Sequence, residues 1–82
     1  MSTNNRPSLL ASFDERPEEV VVCLFGEVAT PTISDLCEAL ERATARNPRR
    51  LVVDLSKAER INLEGLVTIW SARERVGQLV LR

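Results

Sequence analysis

The chain has no histidine and no tyrosine, and it carries one tryptophan, one lysine, two cysteines and three glycines in 82 residues. Without histidine there is no Ser-His-Asp or Cys-His arrangement and no zinc site of the usual mixed type, and two cysteines are too few for an all-cysteine site within one chain. Gly26, Gly65 and Gly77 build neither a GxGxxG turn nor a phosphate loop. The longest apolar run, Val20 to Phe25, has six residues, far short of a membrane span. A net charge of −1 gives no field that would gather nucleic acid or an anionic membrane. These absences exclude most catalytic and cofactor chemistry, so neither an enzyme nor a bound cofactor is expected. The expected setting is a soluble cytoplasmic protein, since no apolar leader follows the polar Met1–Arg6 segment. Cys23 and Cys37 lie inside apolar patterns and read as reduced core thiols.

Apolar residues at 44% and charged residues at 28% are a globular balance. Residues 1–7 read as a disordered polar tail and residues 8–82 as one small domain. Leu9 to Phe13 and Val20 to Gly26 predict two strands around the charged turn DERPEE, in which Pro17 forbids the tight two-residue hairpin. The second strand is apolar on both parities, as a strand covered on both faces would be. A helix follows. Thr30 is placed to cap it, Pro31 to open it, and Thr32 with Asp35 to form a capping box. Ile33, Leu36, Cys37, Leu40 and Ala43 form its buried stripe, Glu38 and Arg42 a pair four apart, and Asn47-Pro48 its end.

Leu51 to Leu55 predicts the third strand, Ser56 to Ile61 a loop, and Leu63 to Val76 a second helix stopped by Gly77. Leu66, Val67, Ile69 and Trp70 give that helix a broad apolar face, on which Trp70 reads as core. Gln78 to Leu81 is the last strand. The order β-β-α-β-α-β predicts an α/β fold: a four-stranded mixed sheet with helices packed against it and the first strand antiparallel. In open sheets of this kind, sites gather where strands end and helices begin. Two such junctions occur, Gly26 to Thr30 and Asp54 to Gly65.

At these junctions the chain resembles the STAS domains, best known as bacterial anti-sigma-factor antagonists. Gly26-Glu27-Val28, Asp54-Leu55-Ser56 and Gly65-Leu66 match the family's three motifs in order and spacing. The resemblance implies a non-enzymatic interaction domain of transcription regulation whose partner is an anti-sigma factor of the histidine-kinase-like type. It implies a partner surface of Glu27, Val28, Ala29 and Thr30 with Asn62, Leu63, Glu64 and Gly65. The family's phosphorylated serine falls at Leu63, its preceding Asp at Asn62, its following Ser/Thr at Glu64, and the Asp after Gly-Glu-hydrophobic at Ala29. Leu63 has no atom that accepts a phosphoryl group, so the expected switch is lost there. Asn62 is equally a helix cap, Glu64 a carboxylate that suits a first helical turn, and Leu63 either an exposed anchor or a residue tucked beneath the helix. Family members usually continue into a further helix; without one, the last strand is an uncovered edge that leaves homodimerisation open. A scaffold role beside lipid or anion transport machinery, a nucleotide binder and a vestigial fragment are the alternatives that the same resemblance leaves open.

Overall fold

A computed structural model describes residues 7–82; the expected N-terminal tail lies outside the described residues except for Pro7. Strand β1 (Leu9–Glu15) and strand β2 (Glu19–Val28) form an antiparallel pair running from Leu9↔Gly26 to Glu15↔Val20. Three residues connect them, as Pro17 requires, and Arg16 N–H closes the turn on the Glu19 carbonyl at 2.8 Å. After β2 a 3-10 turn (Thr30–Thr32) leads into helix α1 (Ile33–Thr44). Asn47 ends the helical stretch in the left-handed region (φ 49°), with Pro48 immediately beyond it. Strand β3 (Arg50–Asp54) pairs parallel with β2 from Glu19↔Arg50 to Cys23↔Asp54.

The segment expected to be a loop contains a fifth strand. Strand β4 (Ala58–Ile61) pairs parallel with the far end of β2 through Gly26↔Ala58, Glu27↔Arg60 and Val28↔Ile61. Helix α2 (Leu63–Ser71), a 3-10 turn (Ala72–Arg75) and strand β5 (Gln78–Leu81) follow, and β5 pairs parallel with β3. The sheet order is β1-β2-β3-β5, with β4 attached to β2. The expected β-β-α-β-α-β order and mixed sheet stand, but with five strands instead of four. Helix α2 is also shorter than predicted, because the backbone tightens to 3-10 geometry from Ala72.

One core holds these elements. Leu9, Val20, Val22, Leu24 and Val28 from the hairpin meet Leu36, Leu40 and Ala43 of α1, Leu51 and Val53 of β3, and Ile69 and Ala72 behind α2. All the strand residues in this cluster share one sheet face. The doubly apolar β2 is therefore not covered by helices on both sides: Val21 and Cys23 on the other parity are half-buried and Phe25 is exposed. Cys23 and Cys37 are free thiols, as expected, but both are half-buried instead of core. In α1 the buried stripe is Leu36, Ala39, Leu40, Ala43 and Thr44, while Ile33 and Cys37 sit at its margin. Arg42 ion-pairs with Glu15 (3.7 Å) and stacks over the Phe13 ring (4.1 Å), in place of the expected pairing with Glu38.

Gly26 shows why the end of β2 needs glycine. Its φ is +103°, and a Cβ there would run into the carbonyl oxygen of Ser8. That close approach lets the Glu27 N–H donate to Ser8 O at 2.9 Å, which keeps the hairpin paired up to the junction.

Candidate functional site

The two junctions come together at one end of the sheet, because β4 lies beside the last residues of β2. Asn62 N–H donates to the Val28 carbonyl (3.0 Å), tying the start of α2 to the end of β2. Thr32 braces the first junction: its hydroxyl accepts from Ala29 N–H (3.0 Å) and donates to the Glu27 carbonyl (2.9 Å), with the Ala29 carbonyl a second acceptor at 3.0 Å. The expected Thr32–Asp35 capping box is therefore absent. Thr32 is the cap of α1 by position, while its hydroxyl serves the turn that precedes it.

Asn62 is the cap of α2, with its Oδ1 accepting from Gly65 N–H at 2.8 Å. Its Nδ2 reaches the Thr30 hydroxyl at 3.5 Å, and that hydroxyl donates to Glu64 Oε1 at 2.9 Å. Thr30 thus caps no helix; it joins the two junctions through an exposed chain of polar groups. Glu64 also places its carboxylate in the first turn of α2, where unpaired N–H groups favour negative charge. Beneath this chain, Gly65 lies so close to Val28 that any Cβ would overlap the valine side chain.

Of the eight residues singled out from the sequence, Thr30, Leu63 and Glu64 are exposed, and Glu27, Ala29 and Asn62 are half-buried. Val28 and Gly65 are buried and shape the rim from below without presenting side chains to it. Leu63 is 75% exposed, so it is not tucked beneath the helix. The sequence reading missed its neighbours. Leu66, Val67 and Trp70 are exposed at 38%, 58% and 52%, so Trp70 is not a core residue. With Leu63 they occupy positions i, i+3, i+4 and i+7, one continuous stripe of a helix. The face of α2 that packs inward is instead Gly65 and Ile69, continued by Ala72. Arg73 lies over the Trp70 ring at 5.0 Å and donates to the Trp70 carbonyl at 3.2 Å.

At the other side of the junction Asp54 fastens the loop that leads to β4. Its carboxyl lies below the ordinary carboxylate range, held there first by the Ser56 hydroxyl, then by the Ser56 amide, with Arg82 adding to it. The amide bond is 2.9 Å and the Arg82 contact 3.4 Å. Among the described residues no helix is long and apolar enough to cross a membrane. The rim therefore offers an apolar stripe beside a short polar chain, an arrangement suited to recognition of a protein surface.

No family model matches the chain. Over 60 residues it is 37% identical to the anti-sigma-F factor antagonist RsfB of Mycobacterium tuberculosis, a match that covers 73% of this chain. The chain spans about half the length (49%) of that curated relative. An anti-sigma factor antagonist from Mycobacterium paratuberculosis superposes with a TM-score of 0.79 at 28% identity, over 92% of this chain and 68% of its own. Bacillus SpoIIAA in its phosphorylated form matches in fold with a TM-score of 0.68 at 14% identity, over 88% of this chain and 70% of its own. An antisigma-factor antagonist STAS domain from Rhodobacter sphaeroides does so with a TM-score of 0.64 at 15% identity, over 96% and 88%. The chain carries the STAS fold and is a relative of the anti-sigma-factor antagonists.

Proposed function

We propose that this chain is a non-enzymatic, cytoplasmic interaction domain of a bacterial regulatory system. It binds an anti-sigma factor of the histidine-kinase-like type and thereby frees a sigma factor. The single observation that carries the reading is the exposed stripe Leu63, Leu66, Val67 and Trp70 opening directly from the two joined junctions. Large apolar side chains in one contiguous patch, edged by polar groups, are the composition of an interface centre. The names of the sequence relative and of the structural neighbours support the choice of partner.

Binding at this rim is constitutive with respect to residue 63. A phosphate would bring about −1.5 to −2 charges and three acceptor oxygens to the start of α2. Leu63 accepts none, so any control over the complex acts by other means than a phosphate at residue 63.

The test is recovery of partners on the tagged chain from cell extract, with Leu63→Arg as the comparison. We expect an anti-sigma factor on the parent chain and at least about tenfold less on the variant, since charge at an apolar interface centre costs more than about 1.4 kcal/mol. Equal recovery on both chains would remove the rim from the interface. Recovery of transport components in place of an anti-sigma factor would assign the domain to a scaffold.

A further inference from the structure

Among the described residues strand β1 has one partner, β2, and its other edge is unpaired. The backbone pattern identifies which groups that edge presents. Glu27 N–H donates to the Ser8 carbonyl and Arg16 N–H to the Glu19 carbonyl, so the even-numbered residues from Ser8 to Arg16 face β2. Leu9, Ala11, Phe13 and Glu15 therefore direct their N–H and C=O groups outward. Natural edges are blunted by proline, lysine or bulges. Residues 9–15 contain none of these residues and run as one uninterrupted ladder, with charges only at Asp14 and Glu15.

Beside this edge lies a shallow groove of about 280 Å³ between β1 and α1. Ala11 and Phe13 line it from β1, and Asp35, Glu38, Ala39 and Arg42 line it from α1. Among the described residues neither carboxylate takes part in an ion pair, because Arg42 is turned to Glu15 and Phe13. The charge along this side of α1 is thus ordered, acidic in its first half and basic at Arg42.

We infer that the occupant of this edge is β1 of a second copy of the chain, paired antiparallel about Ser12. This edge is at the opposite end of the sheet from the last strand, β5, whose edge left homodimerisation open in the sequence, and the pairing does not depend on the anti-sigma reading. In that register Ala11 lies opposite Phe13 of the second copy, both on the helix side of the sheet, so a large ring meets a small side chain. The second copy's Arg42 stacks on that ring and arrives beside Asp35 and Glu38; the two-fold axis repeats each contact. Strands lie about 4.8 Å apart and α1 lies over β1 and β2, which brings the two α1 helices to about 10 Å, within helix packing distance. The result is one continuous sheet with both helical layers on the same side.

Sedimentation of the whole chain across a wide concentration range tests this, with Ala11→Pro as the first variant. Its N–H points away from β2, so proline removes an outward donor and blocks the edge while leaving the β1–β2 ladder intact. The parent is expected to dimerise and Ala11→Pro to stay monomeric with an unchanged circular-dichroism spectrum. Asp35→Arg and Arg42→Asp should each weaken the dimer about tenfold, and the double variant should recover most of the loss. That exchange decides the matter should Ala11→Pro fail to fold. A parent that is monomeric throughout, or a dimer indifferent to Ala11→Pro and to the charge exchange, would overturn the proposal. Leu63→Arg leaves the dimer constant unchanged, which keeps this test separate from that of the rim.

Discussion

Asn62 caps a helix with its carbonyl oxygen, holds Thr30 with its amide nitrogen, and donates its backbone N–H to Val28. Replacing it by alanine removes the first two and keeps the third. Asn62→Ala should cost about 1 kcal/mol, the usual value of a lost cap, read as a shift in the urea midpoint with an unchanged slope. Asp54 makes a prediction of a different kind. A carboxyl held below its ordinary value stabilises the folded chain at pH above the unfolded group's value, and the contribution is lost as pH falls through the lowered folded value. Asp54→Asn should therefore flatten the acid side of the stability curve and lower stability at neutral pH. Denaturant titrations of parent and variant at several acid pH values measure both effects. A parallel pair of curves would mean that Ser56 and Arg82 do not hold the ionised carboxylate.

The two faces of α2 would separate stability from the proposed recognition. Ile69 is fully buried and Trp70, its neighbour in sequence, is half in solvent. Ile69→Ala should cost about 2–5 kcal/mol, whereas Trp70→Ala should stay within about 0.5 kcal/mol and act on partner recovery. Comparing the two unfolding midpoints checks this. The same helix marks where the sequence stops being legible. Strands β2 and β3 and helix α1 follow from β-branched runs, apolar spacing and the Asn47-Pro48 stop, which depend only on local chemistry. The inward face of α2 uses Gly65, Ile69 and Ala72, with one large apolar residue between two small ones, and only Gly65 meets the close approach of Val28. Apolar spacing alone groups Ile69 with Leu66, Val67 and Trp70, and three of those four point to the other side. Strand β4 is illegible for a related reason. Ala58-Glu59-Arg60-Ile61 has two exposed charged residues, and it is a strand only because β2 runs on past β3 and offers free backbone groups beyond Gly26. The rim positions, by contrast, were readable, since strand ends and helix starts bracket them; the Thr30–Glu64 bond spans 34 residues and has no local signature.

As a whole, the described molecule is a sheet with its helices on one side. Its other face keeps Leu10 (71% exposed) and Phe25 (38%) in the open as cross-strand partners. Nothing in the layout of the helices covers that face, whereas the proposed pairing would cover the β1 edge with a second copy. Edge pairing would lengthen the sheet and leave the rim at α2 available, so each protomer of the dimer would present its own docking stripe. Two stripes on one particle give a bivalent ligand for any partner that is itself dimeric, and its apparent affinity then exceeds that of a single rim.

Strand β2 is the member of the sheet bonded to β1 along its length on one side, and to β3 and then β4 on the other. Fraying of β1, of β4 or of β5 leaves it held by at least one neighbour. Its central amides are therefore released to solvent only when the whole sheet opens. Their hydrogen exchange reports the global free energy of the domain, while the amides of the outer strands report smaller, local openings.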